Sequence, residues 1–133
     1  MVKQYRIDQV QMPTLRSAGV AVQRYPRYVH NTFQPHGVDV VLFTCILRGR
    51  AVHQMDDLRI SVGPGSVGIT QEGQTHDLIT GPESVDVMNV FVDLRNHPLP
   101  VVPAPWDRTL ASLLAPHPSM VHRQNRRVYF QFD

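Results

Sequence analysis

Short runs rich in Val, Ile, Leu and Phe, separated by Gly and Pro at intervals of about ten residues, fill the chain between residues 17 and 95. The runs at 17–24 and 38–48 are too short and too rich in β-branched residues to favour helices. Several such runs in succession are typical of a β-sandwich or barrel, whereas a parallel sheet would need crossover helices between them. The sequence therefore predicts an all-β core.

A hairpin is the clearest local element. The stretch 50–62 alternates apolar and polar residues on both sides of Asp56 and Asp57, which indicates two strands joined by a two-residue acidic turn. The segment 24–36, with two prolines, is predicted to be irregular or an edge strand. Further strands are predicted at 66–70, 75–80 and 85–94.

Residues 96–133 lack the strand-like pattern of the preceding part of the chain. Residues 96–105 are rich in proline and predict an extended linker after a barrel that spans 1–95. Apolar residues at helical spacing from Trp106 to Ala115 predict an amphipathic helix, and a second helix is expected to begin near Met120. The whole of 106–133 is thus expected to be a helical segment that packs on the barrel or on a dimer partner, within one domain overall.

Composition narrows the class of protein. Of the 133 residues, 42% are apolar and 18% are charged, which excludes a disordered chain. No uncharged apolar run is long enough to span a bilayer, and the amino terminus lacks the apolar region of a secretion signal, so no membrane contact and a cytoplasmic location are expected. A net charge of +2 is too small for a nucleic-acid-binding surface.

The segment from Gly65 to Thr80 resembles the second sequence motif of the cupin family. Gly65, Gly73 and His76 match the glycine and histidine positions of that motif, while Gln71 stands where proline is usual and Thr80 where asparagine is usual. The two glycines predict tight turns, and His76 is then carried on a strand with its side chain facing into the barrel. The resemblance implies a double-stranded β-helix, or jelly-roll, barrel of the cupin type followed by one or two C-terminal α-helices.

Upstream residues resemble the first cupin motif in part. With Gly49 as its closing glycine, His36 occupies the first histidine position, but Val38 and Leu42 occupy the positions of the second histidine and the glutamate. Metal cupins hold a transition metal with three imidazoles and one carboxylate. Because two of those four positions are aliphatic here, we expect no metal and no cofactor.

A cupin barrel without its metal ligands, followed by a linker and amphipathic helices, resembles the N-terminal domain of AraC-family transcriptional regulators. The resemblance covers residues 17–95 well and implies a homodimeric domain that senses a small-molecule effector, such as a sugar, and performs no catalysis. Helix-turn-helix motifs, through which such regulators contact DNA, are absent from this sequence.

Two alternatives remain open. The first is a small metal-dependent enzyme, of the isomerase or dioxygenase type, in which His36 and His76 are metal ligands and a third comes from His30, His53 or Asp77. The second is a structural dimerisation module with a filled barrel.

Candidate ligand-binding residues follow from the motif positions. If Val38 and Leu42 face inward, the period of two in a strand places His36 and Thr44 on the same face. Thr80 joins His76 from the second motif, Asn89 could hydrogen-bond a ligand, and Phe33 could stack on it. The predicted ligand-binding set is His36, Val38, Leu42, Thr44, His76, Thr80, Asn89 and Phe33, with no catalytic residue and no metal ligand.

Overall fold

The structure is a computed structural model that describes residues 3–5, 12–114 and 129–132. Its strands are β1 (Lys3–Tyr5), β2 (Val20–Tyr28), β3 (His36–Val38), β4 (Val41–Arg48), β5 (Ala51–Met55), β6 (Leu58–Val62), β7 (Ser66–Thr70), β8 (Thr75–Thr80), β9 (Val85–Val92) and β10 (Tyr129–Gln131). Its helices are α1 (Pro13–Ala18) and α2 (Trp106–Leu114).

The strands form two five-stranded sheets. Sheet A has the order β1-β3-β8-β5-β6, and sheet B has the order β10-β7-β4-β9-β2. Neighbouring strands are antiparallel, except that β1 and β3 are parallel. The predicted β architecture is confirmed, and β2 forms one edge of sheet B.

Buried apolar side chains form two separate clusters, and only the second contains residues of both sheets. The first cluster comprises Leu15, Ala21, Val40, Leu42 and Phe91. The second comprises Ile46, Ala51, Val62, Leu78, Val85 and Val87. Because β4 and β9 each contribute to both clusters, the inner face of sheet B runs from one cluster to the other.

Helix α2 packs on the opposite face of sheet B. Val41 and Ile69 alternate with the inward side chains of their strands, and they form a third buried cluster with Leu114. Leu110 and Leu113 of the same helix pack against this cluster. The apolar stripe of α2 is therefore buried against its own barrel.

Two glycines make the turns that position strand β8. Gly65 has φ of 84° and Gly73 has φ of 73°, a left-handed conformation that residues with a Cβ rarely adopt. A Cβ at Gly65 would also lie 1.9 Å from the backbone oxygen of Phe132. The turn before β7 and the turn before β8 thus depend on glycine.

Two expectations from the sequence are wrong. The run at 17–24 does not begin as a strand, because Pro13 starts a short helix that buries Leu15 and ends at Gly19, whose φ is 77°. The segment 106–133 is not helical throughout, because Tyr129–Gln131 pair with β7 as a strand. The helix expected near Met120 lies outside the described residues.

Within the described part of the chain, neither helix has the length and apolar character needed to cross a membrane.

Candidate ligand-binding site in the barrel interior

Three histidines lie together on three adjacent strands of sheet A. His36 of β3 is directly opposite His76 of β8, and the two rings lie 4.5 Å apart between centroids. His53 of β5 is two residues from Met55, the partner of His76 across the β5–β8 pair. His53 and His76 therefore lie on a diagonal of the same sheet face, with ring centroids 5.3 Å apart.

A chain of hydrogen bonds joins two of these rings to a tyrosine. Nε2 of His53 lies 3.0 Å from Nδ1 of His76, and Nδ1 of His53 lies 3.3 Å from the hydroxyl of Tyr129. In a neutral pair, one of the two facing ring nitrogens donates and the other accepts. Tyr129 belongs to β10 of sheet B, so the chain crosses the barrel from one sheet to the other.

Burial keeps both imidazoles neutral. His53 is completely buried and His76 is 6% exposed. Burial, followed by the charge of His36, lowers the pKa of His53 from 6.5 to about 4. Burial, followed by the charges of His53 and His36, holds the pKa of His76 well below its usual value. Both rings are uncharged at neutral pH.

A glycine of sheet B makes room for this arrangement. A Cβ on Gly68 of β7 would lie 2.8 Å from Nδ1 of His53 and 2.9 Å from Cε2 of Tyr129. Ser66 and Thr70, two residues away on each side, carry side chains on the same face of β7. The imidazole of His53 thus occupies the space that a side chain at position 68 would take.

Polar side chains of sheet B face the histidines. Thr44 of β4 is directly opposite Asn89 of β9 and Gly68 of β7, and Thr70 lies on the next inward position of β7. Thr44 is 1% exposed and Thr70 is completely buried. Oγ1 of each threonine and Oδ1 of Asn89 are buried and have no hydrogen-bond partner among the residues that the structure describes.

These six side chains form a layer across the barrel, which we call the polar layer: His36, His53, His76, Thr44, Thr70 and Asn89. Along β4, Thr44 lies between Leu42 of the first apolar cluster and Ile46 of the second. Asn89 lies in the same way between Phe91 and Val87 along β9. The polar layer therefore separates the two apolar clusters, and it reaches the surface at His36, which is only partly buried.

The segment after β2 is fixed to strand β8 of sheet A. The carboxylate of Asp77, which is completely buried, accepts a hydrogen bond of 2.7 Å from the backbone N–H of Gln34 and lies 3.1 Å from Nε2 of His30. The backbone N–H of His30 donates to Oγ1 of Thr80 at 2.9 Å. Asp77 and Thr80 thus hold residues 30–34 beside the barrel.

The structure brings together some of the residues predicted for the ligand site and leaves others apart. His36, His76, Thr44 and Asn89 belong to the polar layer. Leu42 is part of the first apolar cluster.

The other predicted residues have different surroundings. The hydroxyl of Thr80 is already bonded to the backbone of His30. Phe33 is 48% exposed, so its ring is not enclosed in the barrel. The side chain of Val38 is outside the described part of the structure.

Three members of this region were not in the predicted set. His53 was considered only as a metal ligand, although the alternation of the 50–55 strand already places it on the face of Ala51 and Met55. Thr70 and Tyr129 gave no signal in the sequence, because their contacts join residues that are far apart along the chain.

The residues present do not fit the metal centre of metal cupins. Among the described residues, no group of three or more His, Cys, Asp or Glu side chains is arranged to hold a metal ion. Leu42, at the position of the carboxylate ligand, is buried in an apolar cluster. The facing nitrogens of His53 and His76 are engaged with each other. The donor set therefore does not match three imidazoles and one carboxylate.

Comparison of the sequence with known protein families finds no match, and no curated protein matches it either. Solved structures do share the fold. Procruciferin, an 11S globulin from Brassica napus, superposes with a TM-score of 0.52 at 17% identity, over 64% of this chain and 24% of the globulin chain.

Two further similar structures are enzymes by name. Oxalate decarboxylase from Bacillus subtilis has a TM-score of 0.42 at 20% identity, over 44% of this chain and 17% of the enzyme. A protein assigned as a mannose-6-phosphate isomerase, from Ralstonia eutropha JMP134, has a TM-score of 0.49 at 15% identity, over 56% of this chain and 75% of that protein.

The expectation that this chain performs no catalysis is thereby corrected. It was inferred from the missing metal ligands, but an oxalate decarboxylase and a protein assigned as an isomerase are among the similar structures, so a barrel of this kind does not by itself exclude catalysis. The neighbours also include cupin proteins with no activity in their names. The superposition on procruciferin, with its TM-score of 0.52, shows a shared fold at 17% identity and does not assign a function.

Proposed function

We propose that the barrel binds a small, neutral, hydroxyl-bearing ligand at the polar layer. The observation that carries this proposal is the set of buried oxygen atoms of Thr44, Thr70 and Asn89 that have no hydrogen-bond partner among the described residues. Leaving a buried polar group unsatisfied costs about 1–3 kcal/mol each, so a core with three such groups is stabilised by a molecule that bonds to them.

The histidines of sheet A, on the other side of the site, favour a neutral ligand. His53 and His76 are uncharged at neutral pH because burial lowers their pKa values. Neutral imidazoles both donate and accept hydrogen bonds, as sugar and polyol hydroxyls do. The apolar clusters on both sides of the layer would contact the carbon skeleton of such a ligand.

The finer proposal is that this ligand is a sugar-like effector and that the barrel is a sensing and dimerisation domain of a transcriptional regulator. It rests on the resemblance to the AraC family. The predicted homodimer is tested by sedimentation of the purified chain with and without the sugars described below. A monomer under both conditions would contradict this finer proposal without affecting ligand binding.

Catalysis at the same site is a second candidate, favoured by the hydrogen-bonded pair of neutral imidazoles. An uncharged imidazole next to a bound ligand can accept a proton, and proton transfer of this kind requires no metal. Incubation with aldoses in deuterated water, followed by NMR, would detect it as exchange of a carbon-bound hydrogen. Exchange that is lost in His76→Gln would establish an enzyme.

The binding proposal is tested by titrating neutral aldopentoses and aldohexoses into the protein, with NMR detection of the histidine ring protons. We expect saturable changes at His36 and His76 for at least one sugar. Thr44→Val should weaken that binding about tenfold, since a hydroxyl that bonds to the ligand is lost. Thr80→Val is the matched control, because its hydroxyl is already bonded to His30.

Equal affinities for the native protein and Thr44→Val would contradict the proposed site. Ring protons that do not respond to any sugar would contradict the proposed class of ligand.

A further inference from the structure

A second cluster of polar groups lies outside the barrel, on the outer face of sheet B. Asp86 of β9 lies between two arginines there. Nε of Arg24 donates to Oδ1 of Asp86 at 2.9 Å, and a terminal nitrogen of the same guanidinium donates to Oδ2 at 2.5 Å. Arg48 of β4 is the direct partner of Asp86 in the β4–β9 pair. The carboxylate is thus flanked by a guanidinium on each neighbouring strand.

The Arg24–Asp86 pair is bidentate, a geometry that fixes both side chains. The hydrogen bond from Arg24 lowers the pKa of Asp86 below its usual value, and the charges of Arg24 and Arg48 add to this effect. Asp86 is therefore ionised and neutralises one of its two arginines.

Irregularities in two strands bring a third arginine to the same place. The β2–β9 register shifts between Tyr25 and Tyr28, and the β4–β9 register shifts between Ile46 and Arg48. Arg27 lies within the first shift and has φ of 56°, a conformation that is unusual for a residue with a Cβ. Bulges of this kind redirect side chains and are common beside binding sites, where backbone strain is also concentrated.

These residues line a groove of about 340 Å³. Its lining consists of Arg24, Pro26, Arg27, Arg48, Ser84, Val85 and Asp86. Among the residues that the structure describes, three guanidinium groups and one carboxylate line the groove, which leaves two positive charges without a counter-charge there. Guanidinium groups match the geometry of phosphate oxygens, and two uncompensated charges match a dianion.

We propose that this groove is an anion site that binds a phosphate dianion, either free phosphate or the phosphate group of a small monoester. A monocarboxylate would leave one of the two positive charges unmatched, and a neutral sugar would leave both unmatched. The site is independent of the polar layer, because Asp86 and Arg24 lie on the outer face of sheet B, whereas Thr44 and Asn89 lie on its inner face.

The test uses inorganic phosphate, glycerol 3-phosphate and glycerol as probes, at pH 7.5 and at an ionic strength held constant with chloride. Backbone amide signals report the location, and calorimetry gives the affinity. We expect saturable changes at Arg27, Arg48 and Asp86 with the two phosphates and none with glycerol. Binding of phosphate alone would identify free phosphate as the ligand, and binding of both would extend the site to monoesters.

The test variant combines Arg27→Asn with Arg48→Gln. The control variant is Arg59→Gln. Asn tolerates the left-handed backbone at position 27, so the double variant should keep the fold, which a melting curve checks. Loss of two charge-assisted contacts should weaken phosphate binding tenfold or more. Arg59 is an exposed residue of β6 in sheet A, so its replacement should leave the affinity unchanged.

The proposal is overturned if phosphate binding is not saturable, or if the double variant and Arg59→Gln weaken it equally. Sugar binding at the polar layer should be the same in all of these variants, so failure of one site can be distinguished from failure of the other.

Discussion

Nε2 of His53 and Nδ1 of His76 lie 3.0 Å apart inside the barrel, although 23 positions separate the two residues in the chain. The pair is possible because neither ring is charged, as burial lowers both pKa values. Protonation of either ring would place a positive charge beside its neighbours in a buried environment. The stability of the barrel is therefore linked to pH through this pair.

Stability should fall as the pH is lowered from about 6.5 to about 4. Histidine in the unfolded chain takes up a proton near pH 6.5, whereas folded His53 does so only near pH 4, so the unfolded state binds more protons between these values. The contribution of His53, roughly 3 kcal/mol, is complete above pH 6.5 and is lost on acidification. Urea unfolding at several pH values measures it. His53→Gln should reduce the change in the free energy of unfolding between about pH 6.5 and about pH 4. If this change is the same as in the native protein, His53 is not its source.

Gly68→Ala should destabilise the protein by roughly 1–3 kcal/mol, because the added methyl group would collide with His53 and Tyr129. The hydrogen bond between Tyr129 and His53 should be disturbed as well. Gly81→Ala is the control, since nothing lies within 4 Å of a Cβ at that position. Chemical denaturation compares the two. Equal stabilities of the two variants would mean that the barrel accommodates a methyl group at position 68 without loss of stability.

Thr44→Val and Thr80→Val should differ in their effects on stability. The hydroxyl of Thr44 has no partner among the described residues, so its replacement by a methyl group should leave the free energy of unfolding unchanged or raise it by about 1 kcal/mol. The hydroxyl of Thr80 accepts a hydrogen bond from His30, so its loss should cost about 1–2 kcal/mol. Thermal and urea unfolding measure both variants. A large loss for Thr44→Val would reveal a structural role for its hydroxyl.

Asp77→Asn should release the segment that precedes β3. The buried carboxyl group accepts from the backbone N–H of Gln34 and faces His30, and an amide in its place offers one acceptor oxygen instead of two, which weakens these contacts. We expect a loss of roughly 1–3 kcal/mol and faster hydrogen exchange at the amide of Gln34. Asp57→Asn, in the exposed β5–β6 turn, is the control. Equal exchange rates in the two variants would contradict a fixing role for Asp77.

Much of the fold could be predicted from local signals. The alternation around Asp56 and Asp57 gave the β5–β6 hairpin, and Gly65 and Gly73 gave the turns before β7 and β8. Helix α1 was missed because it is only six residues long, with one buried apolar residue, and so has no periodic pattern. Strand β10 was missed because three residues at the end of a helical pattern carry too little alternation to show a strand.

Some residues of the candidate site could likewise be predicted from local patterns, and others could not. The cupin-like motifs placed His36 and His76, and the period of two along β4 placed Thr44, because strand alternation is a local property of the chain. Three relationships depended on how the two sheets pack: His53 against Gly68, Tyr129 reaching across from β10, and the position of Thr44 between two apolar clusters. Cross-strand register and the facing of sheets join distant residues, and no local pattern encodes them. The sequence by itself determined the β architecture and one histidine of each motif, whereas the tertiary structure decided which polar groups meet in the barrel and which remain without a partner.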